Sequence, residues 1–160
     1  MSLNLSNTTI LVAEDTPVMA QMIEAILESL GVGNIIIAYD GREGFAKYCQ
    51  HEPDIMLIDW RMKPVDGLEM IRKVRRDPRS PRPRIPVIMM TGYNAVPRVR
   101  EARDTGVTEY LVKPFSAHDL AKRLAYVINK PRDFVIASSY FGPDRRRRND
   151  GSYTGPDKRA

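Results

Sequence analysis

Five short apolar runs constrain this chain more than any other feature: Ile10-Leu-Val-Ala13, Ile35-Ile-Ile-Ala38, Ile55-Met-Leu-Ile58, Val87-Ile-Met-Met90 and Tyr110-Leu-Val112. None alternates polar with apolar residues, so each suits a strand buried on both faces, as in a parallel sheet. Between them lie stretches of helical period. Val18, Met22, Ile26 and Leu30 fall four apart, and Gly31 stops that helix. Phe45, Ala46 and Cys49 mark a second helix, and Leu68, Ile71 and Val74 a third. The fourth segment, Asn94 to Thr105, is weakly apolar. The fifth carries Leu120, Leu124, Val127 and Ile128 behind a capping box, Ser116-x-x-Asp119. Strand then helix, five times over, predicts an α/β fold with right-handed crossovers and helices on both faces of the sheet.

The chain is 160 residues with a single cysteine, Cys49, so no internal disulfide can form. No apolar run nears the roughly 20 residues of a membrane span, and the polar start lacks the order of a signal peptide. A cytoplasmic protein without membrane contact is expected. The net charge of +5 is uneven, with +3 of it in residues 131–160. This divides the chain into a domain over 1–130 and a basic tail over 131–160, expected to be extended or disordered.

Chemistry gathers where the apolar runs end. The first is followed by Glu14-Asp15, the third by Asp59, the fourth by Thr91-Gly92 and the fifth by Lys113-Pro114. Ligands of open parallel sheets bind outside the carboxyl ends of the strands. Three carboxylates, a hydroxyl and an ammonium therefore share one rim. Packed carboxylates repel, and a hard divalent cation such as Mg²⁺ resolves the conflict. Such an ion also neutralises charge on a transferring phosphoryl group, whose oxygens Thr91 and Lys113 can hold. Asp59, alone at a central strand end, is the candidate nucleophile, since aspartyl phosphate is a known covalent intermediate.

With these residues in view, the sequence resembles the response-regulator receiver domain of two-component signalling, over roughly Thr8 to Lys130. The resemblance rests on Glu14-Asp15, on Asp59 within Ile58-Asp-Trp-Arg-Met-Lys-Pro-Val-Asp-Gly67, on Met90-Thr-Gly92 and on Tyr110-Leu-Val-Lys-Pro-Phe115. It implies a doubly wound, flavodoxin-like sheet of five parallel strands in the order 2-1-3-4-5. It implies that Asp59 accepts a phosphoryl group from a sensor histidine kinase or histidine phosphotransfer protein. It gives Asp15 and Asp59 as direct Mg²⁺ ligands, Glu14 as a ligand through water and the Arg61 carbonyl as another. Thr91 and Lys113 would grip phosphoryl oxygens, and Thr91 and Tyr110 would move together as the switch. A cis Lys113-Pro114 bond, a downstream protein partner and a homodimer also belong to the resemblance. Two features depart from it. Lys63 stands where the family usually has proline, and Arg61 and Tyr93 are bulky where water would approach an acyl phosphate.

Seven cations crowd residues 72–84, read as a solvated loop with an acidic-partner or nucleic-acid contact as the alternative. In the tail, Ser139-Tyr-Phe-Gly-Pro-Asp-Arg145 recurs as Ser152-Tyr-Thr-Gly-Pro-Asp-Lys158. Thirty such residues are too few for a separate core, and no output domain is expected in them. They are either inert or a binding segment, with Phe134, Val135 and Ile136 able to anchor it on the domain. Cys49 reads as a small core residue and His51 and His118 as surface residues; Trp60 either packs under the loop or faces a partner, and the second reading is preferred.

Three functions compete. A phosphorylation-controlled switch or relay carrier leads: a phosphoacceptor that gains and loses its own phosphoryl group, not a multiple-turnover enzyme. Receiver-controlled nucleic-acid binding through the tail is the second. A Mg²⁺-dependent phosphatase is the third, and it lacks the Asp-x-Asp expected at the first strand, where Glu14-Asp15-Thr16 stands.

Overall fold

The computed structural model describes residues 3–92, 100, 103–129, 134–137 and 140–144. Five parallel strands, β1 (Thr9–Ala13), β2 (Asn34–Ala38), β3 (Ile55–Asp59), β4 (Val87–Thr91) and β5 (Glu109–Val112), form one sheet in the order β2-β1-β3-β4-β5. Register is tight: Ala13 pairs with Ile58, Asp59 with Met90, and Thr91 with Val112.

The helices are α1 (Pro17–Ser29), α2 (Gly41–His51), α3 (Gly67–Arg76) and α4 (Ala117–Asn129). The last is the fifth predicted helix. Most of the fourth, Asn94 to Thr105, lies outside the described residues, and its described end, residues 103–105, is helical. Helix starts are fixed by side chains. Asp40 Oδ1 accepts from Glu43 N at 2.8 Å, and Asp66 Oδ1 from Glu69 N at 2.9 Å. Ser116 and Asp119 close the predicted box in both directions, at 2.9 and 3.1 Å.

Two cores explain why the strand runs do not alternate. Ile10, Val12, Leu57, Ile88 and Met90 point to one face and pack with Ile23 and Leu27 of α1 and Leu120, Leu124 and Val127 of α4. Leu11, Met56, Ile58, Val87 and Met89 point to the other and pack with Phe45 and Tyr48 of α2 and Leu68, Met70, Ile71 and Val74 of α3. Successive strand residues alternate between two buried faces, so both must be apolar.

Two regions differ from the sequence reading. The tail begins with an antiparallel hairpin, β6 (Phe134–Ala137) and β7 (Tyr140–Pro143), pairing Phe134 with Pro143 and Ala137 with Tyr140. Gly142-Pro143, a pair that favours turns in isolation, is strand here, and β7 packs on α3. Residues 145–160, with the second repeat copy, lie outside the described residues. The other difference is Arg75. It sits in the run read as solvated, yet it is 3% exposed. Its guanidinium donates to the carbonyls of Gly106 (3.0 and 2.8 Å), Pro83 (2.7 Å) and Ile85 (2.7 Å). The Phe134 ring covers it, with Cζ 5.0 Å from the ring centroid. The loop beyond is held in place too, since Arg79 pairs with Asp77 and Arg82 donates to Pro53 O.

Candidate functional site

The strand register alone brings the predicted residues together. Ala13 lies beside Ile58, so Glu14 and Asp59 leave the sheet side by side, and Lys113 N donates to Thr91 O at 2.7 Å on the other flank. Carboxylate oxygens of Glu14, Asp15 and Asp59 all lie within 4.8 Å of one another. Glu14 and Asp59 are buried, whereas Asp15 is exposed. The Lys113 ammonium stands between the two buried acids, 2.6 Å from Glu14 Oε1 and 3.0 Å from Asp59 Oδ1. Lys113-Pro114 is cis, as the resemblance implied, and so is Lys63-Pro64.

Protonation follows the geometry. Burial, then the nearby Glu14 and Asp15 carboxylates, push Asp59 up to about 6 against the pull of Lys113. Asp15 is raised by its own partial burial and by Glu14. Burial works against the charged form of Lys113, but its two carboxylate partners outweigh that and leave its pKa raised. Three acids beside one ammonium leave negative charge in excess. All the donors are hard oxygens, so the cluster suits Mg²⁺.

The site opens into a cleft of about 480 Å³ lined by Asp15, Trp60, Arg61, Met62, Lys63 and Asp66. Arg61 is exposed on its wall. The loop that forms the wall is pinned by Gly67, whose N donates to Trp60 O at 2.9 Å. A Cβ there would collide with the Asp59 carbonyl oxygen, which is why Asp66 is followed by glycine. Thr91 is buried at the end of β4, and Tyr110 is half-buried on β5. Tyr110 pairs with Met89, two residues before Thr91, so Thr91 and Tyr110 lie on one face of the sheet. Tyr93, expected to gate water, lies outside the described residues.

Of the two readings open for Trp60, the structure takes the packed one: it is 7% exposed and lies in the α2–α3 core under the loop, not toward a partner. Lys113 rests on Glu14 and Asp59. Asp66, which both caps α3 and lines the cleft, was overlooked as a site residue; its signal was the Asp-Gly pair in the loop after Asp59. Cys49 packs against the core, and His51 and His118 are exposed, as read.

An acid cluster with one lysine, at the carboxyl ends of a 2-1-3-4-5 sheet, defines the receiver class of phosphorylation switches. Sequence comparison agrees: the model of the family described as response regulator receiver domain matches residues 10–125. The chain belongs to that family. It is similar to chemotaxis protein CheY1 of Helicobacter pylori, 32% identical over 120 residues that cover 74% of this chain and 95% of that protein. It is similar also to chemotaxis protein CheY of Pseudomonas aeruginosa, 31% identical over 121 residues, covering 76% and 96%. Among solved structures, Vibrio cholerae CheY4 matches with a TM-score of 0.69 and 29% identity over 75% of this chain and 98% of that one. The receiver domain of the Pseudomonas aeruginosa sensor histidine kinase PA1611 matches with a TM-score of 0.70 and 29% identity, covering 77% and 98%; it was solved with a magnesium ion coordinated in the active-site cleft. The β6–β7 hairpin lies beyond the matched residues.

Proposed function

We propose that this chain is a phosphorylation-controlled signalling switch in which residues 1–130 form the receiver and residues 131–160 an appendage to it. An Asp59 carboxylate oxygen attacks the phosphorus of a phosphohistidine on a sensor histidine kinase or phosphotransfer protein. The O–P bond forms as the N–P bond breaks, and the histidine nitrogen keeps the electron pair. Loss of the signal is the reverse kind of step, in which water takes the phosphoryl group and the Asp59 carboxylate returns.

The residues divide the work. Asp15 and Asp59 would hold Mg²⁺ directly, Glu14 through water, and the Arg61 carbonyl would complete the protein's share. The ion would neutralise charge on the phosphoryl group in transfer. Lys113, already 3.0 Å from Asp59, shifts its ammonium from carboxylate to phosphoryl oxygen. The Thr91 hydroxyl donates to another phosphoryl oxygen. Its movement makes room on the face it shares with Tyr110, and the surface beside β5 changes for a downstream protein. Among the described residues no helix is long and apolar enough to cross a membrane, and this reading places the protein in the cytoplasm.

The observation that carries the reading is the meeting of Glu14, Asp15 and Asp59 within 4.8 Å, with Lys113 bridging two of them. Beryllofluoride, a phosphoryl mimic, tests it. Added with Mg²⁺, it should change Trp60 fluorescence in the wild type and leave Asp59→Asn unchanged. Thr91→Ala should still bind the mimic but lose any partner that the loaded wild type captures. An unresponsive wild type contradicts the assignment.

A further inference from the structure

The C-terminal repeat has two copies, and the first shows what the motif is for. In Tyr140-Phe-Gly-Pro-Asp144, Tyr140, Gly142, Pro143 and Asp144 are buried, and Phe141 is half-buried. Two of the buried positions have a reason in the packing. The Tyr140 hydroxyl donates to Pro143 O at 2.7 Å, folding the ring over the strand. Gly142 lies beneath that ring: an added Cβ would stand 2.6 Å from the Tyr140 hydroxyl oxygen and 3.0 Å from the Gly106 Cα. The same Gly106 gives its carbonyl to Arg75. Phe141 instead lies toward the surface, beside Arg82 and Arg84.

The second copy, Tyr153-Thr-Gly-Pro-Asp157, keeps all four residue types that the first copy buries. It departs at the half-buried position, where Thr154 corresponds to Phe141. The Gly-Pro-Asp part of the repeat also suits turns, so the discriminating match is Tyr153 to Tyr140, whose ring and hydroxyl the first copy packs over Gly142 and Pro143. Packing against one common surface accounts for the tyrosine as well as for the turn-forming residues.

We propose that the surface made by β6, Arg75 and Gly106 is a binding site for the sequence Tyr-x-Gly-Pro-Asp, and that Tyr153–Asp157 of the same chain exchanges there with Tyr140–Asp144. In the exchanged form Tyr153 pairs with Ala137, Gly155 with Val135 and Pro156 with Phe134. The connection between the strands lengthens from residues 138–139 to residues 138–152. Loop closure grows only with the logarithm of length, so the longer connection is tolerated. A tethered copy also outcompetes the same motif on a second molecule, through an effective concentration on the order of millimolar. The first copy is the major occupant because only it places a ring, Phe141, against Phe134 at a centroid distance of 5.6 Å. Exchange frees Phe141. The inference does not depend on phosphorylation of Asp59.

The test is a double-mutant comparison in the full chain, read by thermal unfolding and by hydrogen exchange with mass spectrometry. Tyr153→Ala alone should leave Tm unchanged, and Tyr140→Ala should lower it. Adding Tyr153→Ala to Tyr140→Ala should lower it further. In Tyr140→Ala, amides of residues 153–157 should exchange several-fold more slowly than in the wild type. Equal Tm values for the single Tyr140→Ala and the double variant would overturn the proposal. So would unchanged exchange at 153–157, or a Tyr140→Ala chain that does not fold, since the second copy would then be no substitute. Protection that rises with protein concentration, with dimers on size exclusion, would place the motif on a second chain and overturn the exchange within one.

Discussion

The two ends of the β-sheet each hold a cation, a half-buried lysine at one and a buried arginine at the other, and they use it in opposite ways. At the carboxyl end, Lys113 stands among Glu14, Asp15 and Asp59, and acid outnumbers base beside an open cleft. At the amino end, Arg75 donates to neutral acceptors, the carbonyls of Pro83, Ile85 and Gly106 and the Thr108 hydroxyl, under the ring of Phe134. The first end is left unbalanced for a ligand to complete. The second is completed by the chain itself. Function therefore costs stability at one end of the sheet, and the other end is a place where stability is recovered.

Substitution should separate the ends by sign. The largest effect expected is from Arg75→Ala, which strips donors from the buried carbonyls of Ile85 and Gly106 and the part-buried one of Pro83 and should destabilise the fold by about 3–5 kcal/mol in denaturant titrations. Ending the chain after Lys130 removes the hairpin and uncovers Arg75, at a cost of about 2 kcal/mol by the same measurement. Gly67→Ala should cost roughly 1–3 kcal/mol by forcing the loop off the Asp59 carbonyl, and should also slow phosphorylation.

At the carboxyl end the sign reverses. Asp59 has a folded pKa of about 6 against an ordinary 3.8, so its charged form is disfavoured by folding. That penalty is absent below the ordinary value, grows as pH rises between the two, and is complete above about 6. Asp59→Asn should therefore stabilise the metal-free protein by about 1–3 kcal/mol at pH 8 and by much less near pH 4. The smallest effect concerns the ion itself. Mg²⁺ binding, followed by Trp60 fluorescence, should weaken as pH falls through about 6, because Asp59 must lose a proton to bind. A pH-independent affinity would show that Asp59 is ionised throughout.

The carboxyl end was legible in the sequence because the local pattern carries it. Buried parallel strands announce themselves as unbroken apolar runs, and the residue after each run must reach the rim. Glu14, Asp59, Thr91 and Lys113 follow from counting to the end of each run. The amino end was not legible. Arg75 looks like its neighbours Arg72, Arg76 and Arg79, and only carbonyls from residues 83, 85 and 106 single it out. Those carbonyls are contributed by backbone, which has no sequence signature. The hairpin was missed for a related reason. Gly142-Pro143 reads as a turn in isolation, but Tyr140 and the Gly106 backbone hold it extended. Trp60 follows Asp59 directly, and nothing local shows that the loop turns its ring inward.

The central claim is that Asp59 becomes an acyl phosphate, and intact-mass spectrometry after incubation with acetyl phosphate tests it most directly. With Mg²⁺ present, the wild type should gain one phosphoryl group that hydroxylamine removes, while Asp59→Asn and the metal-free protein gain none. A wild type that stays unmodified under these conditions, or one whose label persists in Asp59→Asn, would contradict the account.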